Sequence, residues 1–380
     1  MAIGAGAVEA LVNMADAFGN AFAGKRVLVT GHTGFKGAWL TEWLLQLGAD
    51  VTGYSLPSPT SPALFEQLGH AGRIRHVTGD IRDGAAWRAA VVSAAPDFVF
   101  HLAAQPLVRS SYADPVGTFD TNVLGTVQVL EGLRGLTQPC AVVCVTTDKC
   151  YENREWLYGY REEDPLGGYD PYSASKAAAE IVVAAYRRSF FNGHAVRVAS
   201  ARAGNVIGGG DWALDRIVPD SVRALAEGRA IPVRNRHATR PWQHVLEPLS
   251  GYLVLAARLA ADSRLATAFN FGPGHDANRT VGELVTEVLR HWPGEWTDHT
   301  QPDAPHEAGR LQLSIDRANA LLGWSPAWKF SEAIAATVRW YRAAQPGAPE
   351  LIRALTVEQI SDYTAAARRQ GIGWAAHLPT

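Results

Sequence analysis

Along the first half of the chain the spacing of hydrophobic and polar positions changes repeatedly between two regimes. Short runs with nearly every position apolar alternate with longer stretches whose apolar residues recur every three or four positions. The short runs predict strands buried on both faces, over Arg26–Thr30, Asp50–Ser55, Ile74–Gly79, Phe98–His101 and Ala141–Thr146. The longer stretches predict helices over Ala38–Leu47, Ala85–Ala94 and Val116–Gly132, and one running from Tyr172 to about Phe191. Between Leu56 and Gly69, the prolines Pro57, Pro59 and Pro62 predict a long connection in place of a helix. Strand alternating with helix argues an α/β fold, a Rossmann-type doubly wound parallel sheet. Beyond Ala201 the alternation breaks. Helices over Val281–His291 and Ile315–Leu322 then predict a smaller, discontinuous C-terminal lobe. The expected division is an N-terminal helical extension (1–24), a sheet domain (25–202 plus about 242–272), the lobe (203–241 plus about 273–345) and a tail (346–380).

Composition narrows the function classes. A chain of 380 residues, 47% hydrophobic and 19% charged, can bury a large core. A net charge of −2 gives no global attraction to nucleic acid or an anionic membrane, and no apolar run reaches the length of a membrane span. Met1–Lys25 is Ala-rich without the basic start of a secretory signal, and reads as a short helix leading into the fold. Cys140, Cys144 and Cys150 cluster around one strand without Cys-x-x-Cys spacing, which favours core packing in a reducing compartment over metal or disulfide chemistry. The expected location is the cytoplasm.

Candidate chemistry begins at the first strand-to-helix turn. Arg26–Thr30 is followed by Gly31-His32-Thr33-Gly34-Phe35-Lys36-Gly37 and then by a helical run. Glycines there let the backbone approach a pyrophosphate held by helix N-terminal amides, so the turn predicts dinucleotide binding through Gly31, Thr33, Gly34, Phe35, Lys36 and Gly37. The second strand ends on Ser55 without an acid for the ribose hydroxyls or an arginine for a 2′-phosphate, while Asp80 and Ile81 follow the third strand. These features favour NAD over NADP. His101-Leu102-Ala103-Ala104 closes the fourth strand with small residues against which a cofactor can lie, His101 itself reading as a structural histidine.

The strand Val142–Val145 closes abruptly on Thr146, Thr147, Asp148 and Lys149. Ligands of open α/β sheets sit outside the carboxyl ends of the strands, so these side chains would enter the cleft together. After the loop Asp164–Gly168, Tyr172 and Lys176 share one helix face. An ammonium and a positively charged nicotinamide near a phenol would lower its pKa, so that Tyr172 takes the proton of a substrate hydroxyl while the nicotinamide takes hydride.

From Lys25 to about Tyr341 the sequence resembles the extended short-chain dehydrogenase/reductase superfamily, and within it the CDP-glucose 4,6-dehydratases. The runs that carry the resemblance are Thr30–Gly37, His101–Pro106, Thr146–Tyr151, Tyr172–Lys176, Arg202–Trp212 and Arg240–Val245. The resemblance implies NAD-dependent dehydration of CDP-glucose: oxidation at C4, loss of water across C5 and C6, and return of hydride to C6. It implies Thr147 at the C4 oxygen beside Tyr172, Asp148 as the acid at O6 and Lys149 as the base at C5. A lysine base must be a neutral amine, which burial and the Lys176 charge favour. dTDP-glucose dehydratases carry glutamate at this position, so the lysine points to a CDP-sugar. Simple epimerases carry small or uncharged residues at the two positions; an epimerase, a dehydratase of another NDP-hexose and a silent NAD-binding regulator remain the alternatives.

The resemblance further implies cofactor contacts from Leu102, Ala103, Ala104, Asn122, Thr146, Tyr172 and Lys176. It implies substrate contacts from Gln105, Arg109, Arg202, Asn205, Val206, Arg216, Arg234, Arg240, His306 and Glu307. Arg236 stands where the family usually has proline. A homodimer built on the helices Val116–Gly132 and Tyr172–Phe191 is implied, with no metal, nucleic-acid or membrane partner.

Overall fold

The computed structural model describes residues 16–274, 277–299, 310–344 and 348–375. Its centre is a seven-stranded sheet: β1 (Arg26–Thr30), β2 (Asp50–Ser55), β3 (Arg75–Thr78), β4 (Phe98–His101), β5 (Cys140–Val145), β6 (Val196–Ala203) and β7 (Ala268–Phe271). The spatial order is β7-β6-β5-β4-β1-β2-β3, and every pairing is parallel. Winding therefore runs outward in both directions from β1 and β4. The crevice between their carboxyl ends is the topological switch point where such sheets bind ligands.

Helices cover both faces, as a parallel sheet requires. One face carries α1 (Phe35–Gln46), whose Trp39, Leu40, Trp43 and Leu44 are fully buried. The other carries α2 (Gly84–Ala94), α3 (Gly125–Leu133) and α4 (Pro171–Ser189), packed through Trp87, Val91, Val129, Leu130 and Val183. The first face also receives α5 (Leu246–Ala261) and α6 (Pro349–Arg369). Helix starts follow local chemistry. Asp83 accepts from the Ala85 and Ala86 amides, and Asp170 accepts from the Ser173 amide ahead of Pro171.

Most predicted elements appear within a residue or two of their expected limits; four differ. The described part of the N-terminal segment is a tight 3-10 turn, Ala17–Asn20, rather than a helix. It is held by the Phe18 amide donating to the Trp374 carbonyl and by the stacked Phe18 and Trp374 rings. The Leu56–Gly69 connection contains a short helix, Leu64–Gln67, where Leu64 and Phe65 reach the core beyond the last proline. Before α3 the helix is wound differently, as Pro115–Phe119 and a π segment Asp120–Leu124. The C-terminal tail is no tail: α6 buries Ile352, Ile360, Tyr363 and Ala367. No helix among the described residues is long and apolar enough to cross a membrane. Cys140, Cys144 and Cys150 are buried free thiols, as their packing pattern implies.

Candidate active site

The glycine turn is shaped by close approach. Gly31 has φ +75°, and a Cβ there would lie 2.7 Å from the Ala103 nitrogen; a Cβ on Gly37 would lie 2.1 Å from the Gly31 carbonyl oxygen. Gly34 caps α1 without a side chain, so the first-turn amides of α1 are not claimed by a capping side chain. Thr30 locks the neighbouring exit. Its hydroxyl accepts from the Leu102 and Ala103 amides and hydrogen-bonds His101 Nδ1 at 2.8 Å. His101 Nε2 meets Thr126, and burial pushes the ring down to about 3, so His101 is a neutral structural residue as expected. At the outer end of the crevice the Thr33 and Ser55 hydroxyls hydrogen-bond at 2.8 Å, and Ile81 is buried. Asp80 forms a two-pronged pair with Arg82, which also reaches Asp120.

Strand β5 delivers the next residues. Thr146, Thr147 and Asp148 are all under 8% exposed, and Lys149 is half-buried. Thr147 caps the turn Asp148–Cys150: its hydroxyl donates to Asp148 Oδ1 at 3.0 Å and lies against the Lys149 amide. Gly204 backs the carboxyl so closely that a Cβ there would sit 2.7 Å from Asp148 Oδ2. Burial raises the Asp148 carboxyl above the usual carboxylate range, against the opposing pull of Lys149, the Thr147 hydroxyl and Arg240. Burial thus favours the protonated form of this carboxyl.

Asp170 and Pro171 start α4 so that Tyr172 stands in its first turn, beside Thr147. Burial pushes the phenol up to about 12, the Thr147 hydroxyl and Arg216 opposing it. The expected lowering by Lys176 is therefore not what the chain alone provides. Lys176 donates instead to the Val145 carbonyl at 3.3 Å, and burial brings its ammonium down to about 8. Lys36 reaches into the same space, 3.4 Å from the Tyr252 hydroxyl, and also falls to about 8 through burial and then the charges of Arg216 and Lys176.

Around the mouth stand the arginines. Arg109 and Arg234 both pair with Asp215, and Arg216 pairs with Asp211 at 2.9 Å. Arg240 acts electrostatically on Asp148 from the short strand Thr239–Pro241. Asn205 and Val206 follow Gly204 at the cleft wall, both partly exposed.

Over residues 28–337 the sequence matches the family described as GDP-mannose 4,6 dehydratase. The chain belongs to that family. A CDP-glucose 4,6-dehydratase of Salmonella typhimurium is 47% identical over 358 residues, covering 92% of this chain and 99% of that protein. A dTDP-glucose 4,6-dehydratase of Streptomyces griseus is 30% identical, covering 83% and 93%. Among solved structures, the dTDP-glucose 4,6-dehydratase of Streptomyces venezuelae with NAD bound superimposes with a TM-score of 0.74 at 28% identity, covering 86% of this chain and 99% of that one.

Within this dehydratase scaffold two predicted substrate residues face elsewhere. Arg202 is 4% exposed, and its guanidinium is engaged by Glu180, the Tyr151 hydroxyl and the Glu162 carbonyl. A buried guanidinium needs acceptors, and the sheet interior supplies them to both of its terminal nitrogens. The Gln105 amide is turned into its own loop, donating to the Leu107 carbonyl and Thr118 and accepting from the Leu107 amide. Asn122 fixes the same loop, accepting from the Gln105 amide and donating to its carbonyl and to Ser175. His306 and Glu307 lie outside the described residues. Sequence reasoning missed Glu180 and Tyr252. Glu180 had a usable signal, since it continues the Tyr172–Lys176 spacing by one more helical turn; Tyr252 had none.

Proposed function

We propose that the chain is a hydro-lyase that converts CDP-glucose to CDP-4-dehydro-6-deoxyglucose and water with NAD as a recycled cofactor. The observation that carries this is the strand exit: the Thr147 hydroxyl donates to the buried Asp148 carboxyl beside the Tyr172 phenol, with Lys149 next in sequence. Membership of a 4,6-dehydratase family and 47% identity to a CDP-glucose enzyme support the reaction and the nucleotide.

NAD fits the crevice. The glycine turn would hold its pyrophosphate at the uncapped start of α1, with Ser55, Ile81, Leu102, Ala103 and Ala104 along its length. When bound, NAD supplies hydride acceptance at C4 and donation at C6. The chain's residues do the rest. Tyr172 accepts the C4 hydroxyl proton, with Thr147 orienting that oxygen. Lys149 removes the C5 proton, made acidic by the neighbouring ketone. Asp148, whose carboxyl burial raises above the usual carboxylate range, donates to the departing O6. Arg216, Arg234 and Arg240 hold the diphosphate as planar guanidinium donors, replacing contacts to Asp211 and Asp215.

The helices at Pro115–Leu124 and α4 leave Val116, Leu124 and Ile181 exposed, which supports a homodimer seam there. A cytoplasmic location completes the reading. Supplying the protein separately with CDP-glucose, dTDP-glucose and GDP-mannose tests the specificity: water loss from CDP-glucose foremost is expected, and preferential dehydration of either other sugar would overturn it.

A further inference from the structure

Behind the strand exit lies a buried ion pair that the reaction scheme does not use. Glu180 stands on α4 one turn beyond Lys176, and its carboxylate meets Arg202 of β6 at 2.7 Å, the two side chains 3% and 5% exposed. Burying two charges is unfavourable unless the remaining polar sites are satisfied. Here Thr146 donates to one carboxylate oxygen at 2.5 Å, and Ser200 donates to the other at 2.8 Å beside Arg202. Arg202 is anchored in turn by the Tyr151 hydroxyl at 2.8 Å and the Glu162 carbonyl at 3.0 Å. Tyr172, Lys176 and Glu180 therefore form one stripe along α4, and the far end of the stripe is tied to the residue that precedes Thr147.

We propose that Glu180, paired with Arg202, is a positioning residue for the C4 oxidation: it supplies the counter-charge of Lys176 and pins the β5 exit that presents Thr147 and Asp148. The inference rests on the reading in which Lys176 works as an ammonium beside Tyr172. Lys176 is faced by Glu180 from its own helix, by Cys144 of β5 and Cys150 of the following turn, by Lys36 of α1 and by His101 of β4. Burial drives the Lys176 ammonium toward neutrality, and Glu180 is the largest influence acting against burial. Cys144 and Cys150 are themselves pushed up by burial, so they are neutral thiols at working pH. Glu180 is thus the one ionised acid acting on Lys176 among these groups.

Without the carboxylate the Lys176 pKa falls below its present value of about 8, so the ammonium is lost at lower pH. Glu180→Gln should move the alkaline limb of C4 oxidation, read as reduced-nicotinamide absorbance in a single turnover, down by about one pH unit. The double variant Glu180→Gln/Arg202→Met removes both charges of the pair and leaves no unpaired guanidinium, so its thermal midpoint should return toward that of the unaltered protein while the shifted limb stays. If the double variant restores the pH profile together with the midpoint, Glu180 is only structural and the proposal fails. If the glutamine variant does not fold, the double variant alone decides, since an unshifted limb in it overturns the proposal equally. Lys176→Met separates the two layers. Full C4 oxidation in Lys176→Met would sink the role of Lys176 itself; loss there with an unshifted Glu180→Gln limb would sink only the role of Glu180.

Discussion

In the proposed mechanism two adjacent side chains, Asp148 and Lys149, separate elimination from simple oxidation and reduction at C4. Asp148 is buried, hydrogen-bonded to Thr147 and raised above the ordinary carboxylate range, which suits a donor to a leaving hydroxyl. Asp148→Asn keeps the shape and removes the proton, so dehydration should fall by about 10²–10⁴-fold while reduced nicotinamide still forms on substrate addition. Lys149→Ala should behave alike, stopping after C4 oxidation. Stopped-flow absorbance with product analysis checks both; dehydration at the unaltered rate in Lys149→Ala would assign the C5 base elsewhere. Tyr172→Phe should differ in kind, with no reduced nicotinamide appearing, because the C4 proton then has no acceptor.

At the scale of elements, the turn between β1 and α1 is defined by contact rather than by motif. Gly37 lies against the Gly31 carbonyl with no room for a methyl group. Gly37→Ala should prise the turn open and weaken NAD binding, measured by calorimetry, before any chemistry is tested. The turn, the sheet and the catalytic helix were legible because each couples a local pattern to a period: apolar runs for β1 to β5, glycine spacing at the turn, and Tyr172 and Lys176 one helical turn apart. The aim of side chains was not legible. Arg202 matches a substrate motif yet is drawn inward by Glu180, which is remote in sequence and sits on another element. α6 escaped because its buried positions are diluted by alanine and arginine, so its apolar stripe is weak until Trp43, Trp374 and Glu247 are seen around Tyr363.

For the whole molecule, that C-terminal helix carries a pH consequence. The Glu247 carboxylate accepts from the Ala327 and Trp328 amides and from the Tyr363 hydroxyl, yet full burial raises it to about 7. The folded chain holds this proton where the unfolded chain, with a carboxyl near 4.5, has released it. The stability it contributes is therefore present below the unfolded value and lost as pH rises through about 7. Thermal midpoints of Glu247→Gln should lack this decline between those limits; an unchanged slope would place the titration elsewhere. Assembly belongs to this scale as well. Val116→Arg with Ile181→Arg should leave monomers of the proposed dimer in sedimentation, because two exposed apolar positions at the proposed seam become charged.

In the proposed reaction one site oxidises C4, eliminates water and reduces C6 of the same sugar. CDP-glucose carrying deuterium at C4, incubated with the protein and NAD and followed by mass spectrometry and NMR, tests it most directly. A product lighter by one water with the deuterium relocated to C6 is expected. A product of unchanged mass with an inverted centre would contradict it.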